Sequence, residues 1–166
     1  MAKLKVDIRE SIELNNNKYD NFNSYVIEEI NEISKRITTV PVTEQDILAT
    51  GASLGAGVFL TKDVRYMRFT NIGNSVDPKA HVRLTFRNTN DAEFAVVIPN
   101  GSSFFHNGVS GSGVTGTIAA AATALSGSQL FLSSSGDTDG VFGSLYTITA
   151  KSSGSACDLE YFIASN

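Results

Sequence analysis

The sequence predicts a mainly β protein, an antiparallel β-sandwich or jelly roll with an N-terminal arm, and three observations carry that expectation. Apolar and polar residues alternate with period two in several short stretches, the pattern of strands with one buried face. Gly, Asn and Pro punctuate the second half at strand-sized intervals of about 10 to 15 residues, as in sandwiches and barrels. Residues 99–166 hold one basic and four acidic side chains but 10 of the 14 glycines. That segment must gain solubility from small polar groups or from cover by neighbouring subunits.

Leu4, Val6, Ile8, Ile12 and Leu14 point one way and Lys5, Asp7, Arg9, Ser11 and Glu13 the other, so the first element is a strand with one buried face. Asn15-Asn16-Asn17-Lys18 supplies a reversal, since Asn tolerates the left-handed conformation of tight turns. Residues 25–40 carry two signals. Val26, Ile30, Ile33 and Ile37 sit at helical spacing, while Ile33, Ile37, Thr38, Thr39 and Val40 favour a strand by β-branching; one short helix is therefore allowed here. Pro41 stops a central strand, and the stretch from Thr43 through Gly51 to Gly55 reads as a connector.

Val64 to Ile72 is the next strand, ending at Gly73-Asn74. Val82, Leu84 and Phe86 then alternate with Arg83, Thr85 and Arg87, and after Asn88 to Asp91 the chain returns through Phe94, Val96 and Ile98 to a stop at Pro99-Asn100-Gly101. These two strands make the clearest hairpin. Thr117 to Thr123, Gln129 to Ser133 and Ser144 to Lys151 are further strand candidates, although Ala119 to Ala122 could form a helical turn. Cys157 to Ala164 is the final one, with Cys157, Leu159, Tyr161 and Ile163 on one face. The 166 residues suit an arm and connector over 1–50 and a sandwich domain over 51–166.

Composition excludes several function classes. No apolar run reaches the roughly 18 to 20 residues of a membrane span, and Met1-Ala2-Lys3-Leu4-Lys5 has no apolar signal core. The expectation is a protein made in the cytoplasm without a membrane partner. One cysteine and two histidines supply neither an internal disulfide nor a closed zinc site. Asp137-Thr138-Asp139-Gly140 begins like a calcium loop but lacks the downstream acid. The glycine-rich 51–57 and 108–116 lack the Lys of a phosphate-binding loop. His81 and His106 have no G-x-S-x-G partner, so neither is expected to be catalytic. No catalytic residue, metal or cofactor is expected, and the chain reads as a non-enzyme.

Arg65, Arg68, Arg83 and Arg87, with Lys62 and Lys79, make the middle third the only basic region. Tyr66 and Phe69 stand among them, as in nucleic-acid readers, but a net charge of −4 opposes that role. Ion pairing within sheets or between subunits is the expected use. The candidate assembly residues are thus Leu4, Val6, Ile8, Arg65, Arg68, Arg83 and Arg87.

The stretch Ile12 to Val40 (IELNNNKYDNFNSYVIEEINEISKRITTV) and the ending Ala156 to Ser165 (ACDLEYFIAS) resemble small structural proteins of tailed-bacteriophage virions. In that group a polar loop, an aromatic and a strand ending in T-V-P lead into a sandwich closed by an aromatic-rich last strand. The resemblance implies a virion subunit present in many copies, a capsid decoration or a neck or tail ring component. Its partners would be itself, as a trimer or higher ring, and other virion proteins. An exchanged N-terminal strand would interlock the copies. The runner-up is a carbohydrate-binding β-sandwich at a virion tip, against which the absence of Trp counts; a small hydrolase comes third.

Overall fold

In the computed structural model, which describes residues 2–51, 58–60, 64–73, 77, 79–88, 93–107 and 145–166, eleven strands form three sheets and no described residue is helical. β1 (Ala2–Leu14) and β2 (Asn17–Ile30) make a long antiparallel hairpin that is a sheet of its own. Leu14 faces Asn17, which leaves Asn15 and Asn16 as a two-residue loop with φ of 52° and 59°. Two successive positive φ values define the type I′ turn, whose twist matches that of the flanking strands. The polar asparagines therefore do make the reversal.

The other strands are β3 (Glu32–Val40), β4 (Gln45–Gly51), β5 (Val58–Leu60), β6 (Val64–Gly73), β7 (Val82–Asn88), β8 (Glu93–Ile98), β9 (Ser103–Asn107), β10 (Leu145–Ser152) and β11 (Cys157–Ser165). They build a five-stranded sheet in the order β5-β4-β10-β7-β8 and a four-stranded sheet in the order β3-β11-β6-β9. All pairings are antiparallel except β4 with β5. The two sheets pack face to face as a β-sandwich. Segment 1–50 thus holds the hairpin and also two strands hydrogen-bonded into the sandwich.

Alternation places the core. Val82, Leu84 and Phe86 of β7 and Ile148 and Ala150 of β10 meet Met67 and Phe69 of β6 and Cys157, Leu159 and Ile163 of β11, all buried. Phe86 is the hub: its ring stacks on Phe94 at 4.6 Å and meets Phe69 and Phe104 edge-on at 6.4 and 5.6 Å across the sheets. One polar side chain bolts the layers together. Asn71, fully buried on β6, donates from Nδ2 to the Ala80 and Ile98 carbonyls at 3.2 and 3.0 Å and accepts the Gly73 N–H at 2.9 Å. Every hydrogen-bonding direction it uses is met by main chain from the opposite sheet or from its own turn.

Three expectations change. Residues 25–40 are strand throughout, broken only at Asn31, and no helix forms. Glu29 has φ of 61°, and the register with β1 slips between Ala2 and Leu4, so a β-bulge inserts an extra residue. The bulge puts Ile27 and Ile30 on one buried face, three residues apart, while Val26 of the expected helical set is exposed. The connector at Thr43 to Gly51 becomes β4, an interior strand of the five-stranded sheet. β9 (Ser103–Asn107), outside the strand stretches read from the sequence, is an edge strand among the described residues. The candidates at Thr117 to Thr123 and Gln129 to Ser133, the Ala119 to Ala122 run, the Asp137 to Gly140 turn, the glycine-rich 108–116 and 52–57, and Lys62 lie outside the described residues.

Candidate assembly site: an arm, a cleft and a free strand edge

The hairpin rests on the outer face of the four-stranded sheet by its base only. β11 turns Phe162 and Ala164 outward and β6 turns Tyr66 outward, because their neighbours Tyr161, Ile163 and Met67 point into the sandwich. Ile27 and Ile30 of β2 close on Tyr66 and Ala164 as a second small core, with Leu4, Val6, Tyr25 and Phe162 packed around it. The Tyr66 and Phe162 rings meet edge-on at 6.0 Å. Burial pushes the Tyr25 and Tyr66 hydroxyls above their ordinary pKa.

Beyond this base no described core residue packs against the arm. Leu4, Val6 and Ile8 are half-buried, whereas every residue from Arg9 to Ser24 is exposed. This corrects the expectation that Ile12 and Leu14 share a buried face. The alternation is real, but the five residues from Glu10 to Leu14, at roughly 3.4 Å each, outrun the sheet that the first three cover. Ile12 pairs with Tyr19 across the hairpin on the same face as Leu4, Val6 and Ile8. Ile12, Leu14 and Tyr19 are 60%, 58% and 58% exposed. The tip therefore exposes three large apolar side chains on this face, while Phe22, opposite Arg9, is 63% exposed on the other.

The opposite face of the arm carries locally paired charges together with the exposed Phe22 and Val26. Lys3 meets Glu28 at 2.6 Å, Lys18 meets Asp20 at 3.2 Å, and Ser24 donates to Asp7 at 2.6 Å. The Ser24 hydrogen bond, then Lys5, holds the Asp7 carboxyl below its ordinary range, and Lys3 does the same for Glu28.

A cleft of about 680 Å³ opens between β1 and the sheet. Consecutive residues Leu4 to Arg9 form one wall, and Lys35, Tyr66, Arg68, Phe105 and Phe162 form the other. Because residues of both parities line it, the cleft runs along the edge of β1, which among the described residues pairs with β2 alone. Its floor is electrostatically unbalanced. The Glu160 carboxylate faces both Lys35 at 3.0 Å and Arg68 at 2.6 Å, so one anion serves two cations. Those hydrogen bonds, Lys35 first, keep the Glu160 carboxyl below its ordinary value. Arg68 Nε is buried with no hydrogen-bond partner among the described residues.

The candidate residues fall into separate places. Leu4, Val6, Ile8 and Arg68 come together around the cleft. Arg65 is half-buried on β6. Arg83 and Arg87 alternate with the buried Val82, Leu84 and Phe86, so they occupy the outer face of the other sheet, across the sandwich from Arg68. Arg87 is engaged by Glu44 at 2.8 Å and Glu93 at 3.2 Å, while Arg83 is exposed. The four arginines are thus divided, with Arg83 and Arg87 sharing one outer face and Arg68 on the other. Sequence reasoning missed Lys35, Tyr66, Phe105 and Phe162 as cleft residues; the outward parity of their strands was the available signal.

Elsewhere the Ser153 hydroxyl sits 2.8 Å from His81 Nδ1 and accepts the His81 main-chain N–H at 3.1 Å. Both contacts tie it to one residue, a loop clasp with no carboxylate shown on the ring. His106 is buried on β9 against the core, and the free Cys157 is buried as well. Among the described residues no three His, Cys, Asp or Glu side chains gather, and no helix is long and apolar enough to cross a membrane. In comparisons with family models, with curated proteins and with solved structures, nothing matches this chain.

Proposed function

We propose that this chain is a non-enzymatic structural subunit of a tailed-bacteriophage virion, which assembles with copies of itself and with other virion proteins through the β1–β2 arm. The observation that carries the assembly reading is the arm's tip: three large apolar side chains exposed on one face, with none of the described core residues packed on them, at the end of a two-stranded hairpin. A monomer gains nothing from that surface, and soluble proteins keep such patches where a partner covers them. The cleft and free edge of β1 at the arm's base give the same surface a backbone component. The virion setting rests on the resemblance of the arm and of the last strand to phage structural proteins.

The test is the mass of the full chain by light scattering across a tenfold dilution. A trimer supports surface decoration of the capsid, and a hexamer or larger ring supports the neck or tail. A monomer at every concentration that binds on a glycan array overturns the reading in favour of a carbohydrate-binding module.

A further inference from the structure

The geometry points to the partner of the cleft: the β1 strand of a second copy, paired antiparallel about a two-fold axis at Ile8, so that two hairpins join into one four-stranded sheet. This deepens the assembly reading above and rests on it.

The argument starts from the edge. A two-residue loop makes Leu14 and Asn17 a hydrogen-bonded pair, so even-numbered residues of β1 aim their main-chain groups at β2 and odd-numbered ones aim theirs at the open edge. Residues Lys5, Asp7 and Arg9 thereby present N–H and C=O groups that no described strand pairs along the cleft, a template for one more strand. Antiparallel self-pairing that keeps the apolar faces together must place its axis on a single residue, and the charges choose which.

Among the cleft residues Leu4 to Arg9, a centre on Leu4 sets Lys3 against Lys5, and one on Val6 sets Lys3 against Arg9. Centres on Lys5, Asp7 or Arg9 set a charge against its own copy. A centre on Ile8 has no like-charge pair. It places Asp7 opposite Arg9 and Lys3 opposite Glu13, each twice by symmetry, and Leu4 opposite the exposed Ile12, with Ile8 meeting itself. β1 is thus charge-complementary to itself reversed, which is what an isologous contact demands.

Two pairs are not complementary, Lys5 opposite Ser11 and Val6 opposite Glu10, and the second supports the assignment. Val6 and Glu10 both belong to the face that looks toward the sheet, so the second copy's Glu10 enters the cleft beside Val6, where Lys35 and Arg68 share a single carboxylate and Arg68 Nε lacks an acceptor. A two-fold contact also selects among assemblies: it closes into dimers, or into hexamers with a second interface, rather than isolated trimers.

The experiment uses the full chain with Ile8→Cys under mild oxidation, analysed on non-reducing gels beside light scattering. Facing non-hydrogen-bonded residues lie within disulfide reach, so a covalent dimer is expected. Ser11→Cys is the control: in this register its two copies stand six residues apart, about 20 Å, and should not link. Asp7→Arg should weaken association by about tenfold or more through two like-charge pairs, and Asp7→Arg with Arg9→Asp should restore it. An assembled protein that links at Ser11→Cys, or fails to link at Ile8→Cys, overturns the register and leaves the arm reading standing. A protein that is monomeric in every form, wild type included, overturns both.

Discussion

Shortening the arm separates its two roles, since its base belongs to the fold and its tip does not. Replacing residues 11–20 by Asn-Gly joins Glu10 to Asn21, which already face each other and share a side-chain hydrogen bond at 3.0 Å. The new loop closes a hydrogen-bonded pair, as the natural one does, so the register below it is kept. Ile12, Leu14 and Tyr19 are lost. Full burial of a large apolar side chain contributes roughly 1.5–3 kcal/mol, and these three have about 60% of that surface left to bury. After a deduction for immobilising them, the tips supply roughly 3 kcal/mol of association, or about a hundredfold in Kd. The body should lose less than about 1 kcal/mol, because the shortened segment touches neither core. Sedimentation equilibrium gives the first quantity and chemical denaturation the second. An unchanged Kd with an intact body would refute the reasoning. Removing all of β1 is a poorer test, because it strips the partner of β2 and uncovers Tyr66 and Phe162.

Three further outcomes follow from side chains already described. Asn71→Asp should destabilise by about 3 kcal/mol or more at neutral pH, since an anion then faces the Ala80 and Ile98 carbonyls; denaturation at falling pH should recover part of the loss as the carboxyl is protonated and can donate again. Glu160 is held below its ordinary value of 4.5 by Lys35 and Arg68, so its contribution is complete above that value and disappears as pH falls through the lower folded-state one. Glu160→Gln should therefore flatten the acid limb of stability against pH, and an unaltered limb would show that the two cations do not act through it. Asn16→Gly, at φ of 59°, should stabilise the hairpin by a few tenths of a kcal/mol, read as slower amide exchange in β1 and β2.

Legibility followed the cleanness of the alternation. β7 and β8 were read almost to the residue because one of their faces meets a continuous core, which forces period two. β1 was legible as a strand, yet its pattern could not reveal that Ile12 and Leu14 face nothing, since an apolar stripe looks the same over a body or over a partner. β2 was hidden by its bulge at Glu29, and the exposed Ile33 and Ile37 of the edge strand β3 completed the false helical spacing. β4 was obscured by its small and polar residues, among which only Leu48 is fully in the core. The cleft was half legible. Leu4, Val6, Ile8 and Arg68 stand out as residues, but the wall from Lys35, Phe105 and Phe162 is assembled from three separate strands, and no local pattern encodes that meeting.

The strand order also fixes when the arm can dock. β11, the last of the described strands to leave the ribosome, lies between β3 and β6 and pairs with residues more than a hundred positions earlier, from Val40 opposite Cys157 to Glu32 opposite Ser165. The hairpin is local and its pairing can form within microseconds, whereas the floor beneath it, Phe162 and Ala164, lies more than a hundred residues later in the sequence. Strand order thus leaves the arm's docking floor incomplete until β11 has inserted between β3 and β6.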